Sequence, residues 1–362
     1  MQRRAPHELK NRLAFSITGL ILASLCLCAC NAVDPAASVA SPTAFQPGWY
    51  QVYFSDPASP SAETKRGGPD QYLAESIRQA RLSVDVAAYD LDLWSIRDAL
   101  FEAYQRGLAV RMVTDSDNLD EDEIRDLRAA GVSVRGDRRE GLMHNKFVIV
   151  DGATVWTGSM NLTINSAYRN DDNLIMLHSS ALAGNYTAEF NEMFDEDRFG
   201  PGSPANTPDP RLEIYGSQVE VYFSPEDGVE TEIISLIYSA RRSIRFMLYS
   251  FTSDPIADAI LAQSKAGLEV SGIFEAEQAD SNQGTEYDRL RKAGLDVWLD
   301  GNPRNMHHKV LIIDERIVLT GSYNFTNNAR TLNDENLLVI EQPELAAAYT
   351  REFERLHARR QR

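Results

Sequence analysis

The chain has 362 residues, 43% of them hydrophobic and 25% charged, a globular composition long enough for two domains and unlike that of a disordered polymer. Its formal net charge of −17 disfavours broad nucleic-acid binding, because affinity for a polyanion rests on Lys and Arg that release counterions. A local basic pocket stays compatible with that balance.

Arg3, Arg4, Lys10 and Arg12 precede the apolar run "LAFSITGLILASLCLCAC", a charged region followed by a hydrophobic stretch too short to span a bilayer comfortably. Residues 1–30 are therefore expected to be an export signal. All three cysteines, Cys26, Cys28 and Cys30, lie in or at the end of this run, which excludes a disulfide framework downstream. Leu27-Cys28-Ala29-Cys30 resembles a bacterial lipobox, which implies lipidation at Cys30 and attachment to the cell envelope, at the outer membrane or in the periplasm of a Gram-negative cell. Cleavage at an ordinary small-residue site is the alternative. Residues 31–48, rich in Ala, Ser and Pro, read as a flexible tether.

Beyond the tether, "SVDVAAYDL" has the β-branched run of a strand, and "SIRDALFEAYQRG" the amphipathic spacing of a helix. The strand "LAVRMVTD" follows. The acid-rich "DSDNLDEDE" from Asp115 to Glu123 invites a calcium reading, but an EF-hand loop needs oxygen and Gly where Leu119 and Asp120 stand. A solvated loop entering the helix "EDEIRDLRAAG" is expected instead, its carboxylates favoured by the helix dipole.

The same order then recurs. "VYFS" occurs at Val52 and Val221, "GL-V" at Gly107 and Gly267, "LR-AG" at Leu127 and Leu290, and "YT-EF" at Tyr186 and Tyr349. Matched landmarks in one order mark a duplicated domain with a period too long for a solenoid. Repeat 1 is placed at 49–199 and repeat 2 at 213–362, joined by a linker at 200–212 that includes "GPGSPANTPDP". Alternating strands and helices predict an α/β fold. The second copy carries another acidic loop, "EAEQADSNQGTE", and "HARRQR" is expected to continue the last helix.

The longest match is "MHNKFVIVDGATVWTGSMNLT" from Met143 against "MHHKVLIIDERIVLTGSYNFT" from Met306. In a strand, His144 and Lys146 project to one face, as do His307 and Lys309. His308 points the other way and is expected to be packed or exposed. Asp151 and Asp314 fall at an odd spacing, and Asp151-Gly152 suits a hairpin turn, so both aspartates are given structural roles. Ser159 and Asn161, like Ser322 and Asn324, place hydroxyl and amide groups where they would supplement lysine around a phosphate oxygen. Asp172 and Glu335 each lie 28 residues beyond the histidine of their own copy. An acid accepting from imidazole Nδ1 fixes the tautomer and leaves Nε2 free to react. Arg135, Arg138 and Arg139 precede the first motif and are candidates to line a cleft.

These paired cassettes resemble the His-x-Lys-x4-Asp motifs of the phospholipase D superfamily, each with its downstream Gly-Ser-x-Asn, and the resemblance covers nearly all of the chain after the tether. It implies a pseudo-twofold duplicated fold, two mixed β-sheets each flanked by helices, with one active site at the interface of the repeats. It also implies phosphodiester cleavage through a phosphohistidine, without cofactor or metal, with His144 as nucleophile, His307 as acid, and Lys146, Lys309, Asn161 and Asn324 as donors to the phosphate.

Within the superfamily, export, the anchor and the acidity favour a monomeric phospholipase D that hydrolyses or transfers phosphatidyl groups of phospholipids in the adjacent membrane. A nuclease or other non-lipid phosphodiesterase, a cardiolipin synthase-like phosphatidyltransferase and an inactive binding lipoprotein stay open as alternatives.

Overall fold

Strands β1 (Tyr50–Phe54), β2 (Ser83–Ala88), β3 (Ala109–Thr114), β4 (Ser133–Gly136), β5 (Lys146–Val150), β6 (Thr154–Gly158) and β7 (Asn173–His178) form one sheet in a computed structural model that describes residues 48–360. The expected export signal, Cys30 and nearly all of the tether lie outside the described residues. Strand order is β1-β7-β6-β5-β2-β3-β4. Strands β2, β3 and β4 are parallel, and β2, β5, β6, β7 and β1 pair antiparallel in turn.

The second half repeats this plan with β8 (Arg211–Ile214), β9 (Ser217–Ser224), β10 (Ser243–Leu248), β11 (Glu269–Phe274), β12 (Asp296–Leu299), β13 (Lys309–Ile313), β14 (Ile317–Gly321) and β15 (Glu335–Glu341). Its order is β12-β11-β10-β13-β14-β15-β9-β8. Both sheets are mixed and flanked by helices, as expected. Three local expectations are corrected. Arg211 and Leu212, read as linker, belong to β8, because Tyr215 and Gly216 turn the chain back onto β9. The acidic stretch after Phe274 contains a helix, Ala276–Ser281, whose Gln278 N–H is capped by the Glu275 carboxylate at 2.6 Å. The last helix, Pro343–His357, stops short of the terminal arginines.

β5 and β13 read KFVIV and KVLII and are buried at every position, as continuous apolar runs are when both faces of a sheet are covered. On one face of each sheet lie outer helices, among them Pro69–Gln79 and Trp94–Gln105 in the first half and Val229–Ser239 and Asp254–Lys265 in the second. Between the sheets lies a core shared by both halves, in which Phe147, Tyr186, Phe223 and Tyr349 pack with one another's neighbours. Helices Ser180–Phe194 and Pro343–His357 lie in this layer, and each touches the other half: the first reaches β9 and the second β1.

The hairpins β5–β6 and β13–β14 close through Asp151-Gly152, with φ of 55° and 60°, and Asp314-Glu315, with φ of 54° and 57°. The carboxylate of Asp151 accepts from the backbone N–H of Arg81, Leu82 and Ser83 at 3.0, 2.7 and 3.1 Å. Asp314 does the same for Arg241, Arg242 and Ser243. Each motif aspartate thus fastens the hairpin to the entry of the neighbouring strand, and these N–H groups hold both carboxyls below the usual carboxylate range against the opposing effect of burial.

Candidate active site

His144 and His307 sit just before β5 and β13, on segments bound to the opposite half. His144 N–H donates to the Asp334 carbonyl at 3.0 Å and Asp334 N–H to the Leu142 carbonyl at 2.9 Å. His307 N–H donates to the Asp171 carbonyl at 2.8 Å, and Asp171 N–H to the Asn305 carbonyl at 2.9 Å. Two short parallel bridges, Met143 with Asp334 and Asp171 with Met306, seal the exchange. Each histidine is therefore presented to the acid of the other repeat.

The side chains follow. Nδ1 of His144 lies 2.7 Å from Oε2 of Glu335, and Nδ1 of His307 lies 2.9 Å from Oδ1 of Asp172. The pairs are crossed: Asp172, just before β7, and Glu335, which opens β15, each meet the histidine of the other copy. Both Nε2 atoms are left without protein partners among the described residues, and the two side chains are 9% and 7% exposed.

Lys146 and Lys309 are buried beside them. Each Nζ donates to the carbonyl of the histidine two residues earlier, at 2.9 Å. Lys146 lies 5.3 Å from the Tyr89 ring centre and Lys309 4.8 Å from that of Tyr249. The same tyrosines meet His144 and His307 edge-on. These tyrosines were not singled out from the sequence, where they end apolar strands and look like core; their matching positions in "AAYD" and "MLYS" were the available signal.

Burial without enough counter-charge dominates the electrostatics. It lowers Lys146 to about 7, with Lys309 adding repulsion against the pull of Glu335 and Asp172, and Lys309 to about 8. His144 is pushed well below its ordinary value by burial, then by the two lysines. His307 falls to about 4 from burial and Lys309, partly offset by Asp172. The acids differ. Burial raises Glu335 to about 7, whereas Asp172 stays below its ordinary value because His307, Lys309 and the Ser159 hydroxyl outweigh its burial.

Ser159 is corrected from phosphate contact to support of the acid. It is fully buried, its Oγ donates to Oδ1 of Asp172 at 2.7 Å, and it accepts from Asn173 N–H at 3.0 Å. Ser322 is placed alike, accepting from Asn336 N–H at 2.9 Å. The preceding glycines allow this contact. Gly158 and Gly321 have φ of 140° and 143°, and a Cβ on either would meet the carbonyl of Asn173 or Asn336 at 2.4 or 2.3 Å. Asn161 and Asn324 are half-buried with Oδ1 unpartnered among the described residues.

The residue between His and Lys faces the other way in both copies. His308 is fully buried, with Nδ1 3.1 Å from the Asn173 amide and Nε2 3.1 Å from Glu352. Asn145 contacts Glu189 at 3.2 Å and Asn336 at 3.0 Å. Arg135, Arg138 and Arg139 do not serve the site: all three pair with Asp197.

Residues 73–194 and 233–357 match the family model described as cardiolipin synthase, PLD-like domain. The mitochondrial cardiolipin hydrolase of Chlamydomonas reinhardtii is 36% identical over 126 residues, 35% of this chain and 56% of that protein. The chain spans about half the length of that relative and of its human counterpart, of which it covers 50%. A phospholipase D of Rickettsia bellii is 32% identical over 151 residues, 40% of this chain and 75% of that protein. The crystal structure of phosphatidylserine synthase from Haemophilus influenzae Rd KW20 covers 86% of this chain and 87% of its own at a TM-score of 0.65; its 16% identity makes this a likeness of fold alone. Since the family match falls once in each half and takes in both histidines with their lysines and acids, the chain belongs to the phospholipase D superfamily and carries two PLD-like domains.

Proposed function

We propose that the protein is a phosphodiesterase of phospholipase D type that acts on phospholipids through a phosphohistidine. The crossed pairing supports this most directly: two imidazoles, each with Nδ1 on a buried acid of the other repeat and Nε2 free, are what a two-step displacement at phosphorus requires. A phosphodiester bound between Lys146 and Lys309 adds negative charge to the site. It offsets the lysine repulsion that, after burial, helps keep both histidines neutral, so one of them takes up a proton.

His307 is the proton donor in this reading, because Asp172 is held anionic beside it and stabilises its imidazolium. His144, held neutral by burial and by the two lysines, attacks phosphorus with Nε2. The bond to the leaving alcohol breaks and its oxygen takes the proton from His307. In the second step His307 removes a proton from water, the water oxygen bonds to phosphorus, and the P–N bond to His144 breaks. Lys146, Lys309, Asn161 and Asn324 supply donors to the phosphate oxygens in both steps.

Phospholipid is favoured over nucleic acid by the net charge of −17, by the engagement of Arg135, Arg138 and Arg139 with Asp197, and by the lipid-directed names of the relatives. No helix of the described residues is long and apolar enough to cross a membrane. Export and acylation at Cys30 complete the proposal by holding a monomeric enzyme beside its substrate.

The test incubates the full-length chain in detergent and EDTA with phosphatidylcholine, phosphatidylethanolamine or cardiolipin, and separately with plasmid DNA, alongside His144→Asn and His307→Asn. Headgroup or phosphatidate release that both substitutions abolish is expected. DNA cleavage with no lipid product would replace the lipid reading with a nuclease, and a phosphorylated peptide containing His307 would reverse the two histidines.

A further inference from the structure

Behind the histidine segments the two halves differ in charge balance. In the second half Glu352 is balanced: Oε1 lies 3.1 Å from Nε2 of His308 and 2.6 Å from the Arg355 guanidinium. Arg355 also reaches Asp171 at 2.6 Å, and Arg359 adds a contact to Asp171 at 3.0 Å.

The repeat sets Glu189 opposite Glu352, Asp334 opposite Asp171, and Glu192 opposite Arg355. A carboxylate therefore occupies the place of the guanidinium. Glu226, from the segment after β9, joins Glu189 and Glu192, and one oxygen of each lies within 4.8 Å of the others. Among the described residues none of these acids, nor Asp334, has an ion pair.

Glu192 carries a second and independent observation. It is 2% exposed, and neither of its carboxylate oxygens has a hydrogen-bond partner among the described residues. The Ser203 hydroxyl and Asn206 amide stand close enough to influence its charge but outside hydrogen-bond geometry. Oε2 of Glu226 and Oγ of Ser203 are likewise unpartnered. A buried acid with both oxygens unsatisfied is costly unless a proton or a cation joins it.

We propose that Glu189, Glu192 and Glu226 hold a divalent cation of the calcium type in the place that Arg355 fills in the second half. Calcium accepts oxygen ligands at about 2.3–2.6 Å in irregular geometry, so one ion reaches three oxygens at this spacing, and Ser203 and Asn206 offer neutral oxygens beside them.

The site is connected to the catalytic segment but supplies nothing to the chemistry. Glu189 accepts from the Asn145 amide, and Asn145, between His144 and Lys146, accepts from Asn336. The ion thus has a positioning role: it fixes the back of the His144 segment as Arg355, through Glu352 and His308, fixes that of His307.

The full-length chain in detergent, stripped with EDTA, is titrated with calcium chloride by calorimetry and melted with and without the ion, alongside Glu192→Gln and Glu192→Arg. One saturable site is expected, with Tm rising by about 4 °C at a hundredfold excess over Kd. Glu192→Gln should lose both effects. Glu192→Arg, which rebuilds the arrangement of the second half, should melt higher than the parent in EDTA and ignore calcium, with circular dichroism confirming that each variant is folded. No heat and no Tm change in the parent, or an equal response in Glu192→Gln, would overturn the proposal and leave a cluster of protonated carboxyls. Binding is read without turnover, so calcium uptake without lipid cleavage would count only against the phospholipase reading, and cleavage without uptake only against this one.

Discussion

Replacing Lys146 with Met should make the protein more stable and far less active. Burial lowers this ammonium from 10.5 to about 7, and at about 1.36 kcal/mol per pKa unit the charged form is disfavoured in the empty site by on the order of 4–5 kcal/mol. Met keeps the length and flexibility of the stem and removes the charge. It also removes the Nζ donor to the His144 carbonyl, and a buried acceptor left unpaired costs about 1–3 kcal/mol. The net gain is about 2 kcal/mol, or several degrees in Tm. The sign with pH follows from linkage: the folded pKa is lowered, so the penalty is complete below about pH 7 and fades as pH rises toward the unfolded value of 10.5. Calorimetric melts at pH 6.5 and pH 10 should show a large gap between variant and parent that narrows at the higher pH. Loss of a donor to the phosphate should lower kcat for headgroup release by about 10²–10³-fold. A variant that melts below the parent at pH 6.5, or a gap that does not change with pH, would mean that Lys146 is not held as a strained cation.

Asp172→Asn should lower kcat by about 10²–10⁴-fold through the wrong tautomer, and nitrogen NMR should show the imidazole shift at His307 and not at His144; a shift confined to His144 would contradict the crossed pairs. Ser159→Ala should reduce kcat with KM unchanged and destabilise by about 1–3 kcal/mol, since it strips a hydrogen bond from a buried carboxylate; a rise in KM alone would restore a phosphate contact. His307 is held neutral with a pKa of about 4 against 6.5 unfolded, so the stability it contributes is complete above pH 6.5 and is lost as pH falls through 4. His307→Asn should therefore flatten the acid limb of Tm against pH by about 3 kcal/mol, and an unchanged limb would assign it to other groups. Asp151→Ala should cost about 2 kcal/mol by freeing three N–H groups while leaving headgroup release intact, and a loss of turnover in the folded variant would draw this aspartate into the chemistry.

Much of the site was legible because it is written twice. The alternation of side chains in a strand fixes His144 with Lys146 and His307 with Lys309 on one face, and turns His308 to the other. The hairpin dipeptide at Asp151 and the odd spacing of both aspartates excluded them from the pocket. Less legible were groups whose type suits a duller role. Tyr89 and Tyr249 end apolar strands, and only the fold shows them against the histidines. Ser159 follows a glycine at a strand end, where a phosphate donor is as reasonable as a buried prop; the close approach of Asn173 to Gly158 decides between them.

The sequence by itself determined the duplication, the mixed strand and helix order, and the inventory of histidines, lysines and acids, because periodicity and repeat spacing are properties of the chain. Partnership across the interface was decided only by tertiary structure. Nothing in a 28-residue spacing says which histidine an acid will reach, and the bridges Met143–Asp334 and Asp171–Met306 send each acid to the other copy. The same is true of Glu226, which stands apart in sequence from Glu189 and Glu192, one turn apart on a single helix, and meets them because the two halves share one core. Burial then sets the pKa of every group in the pocket, and burial is a property of the folded pair.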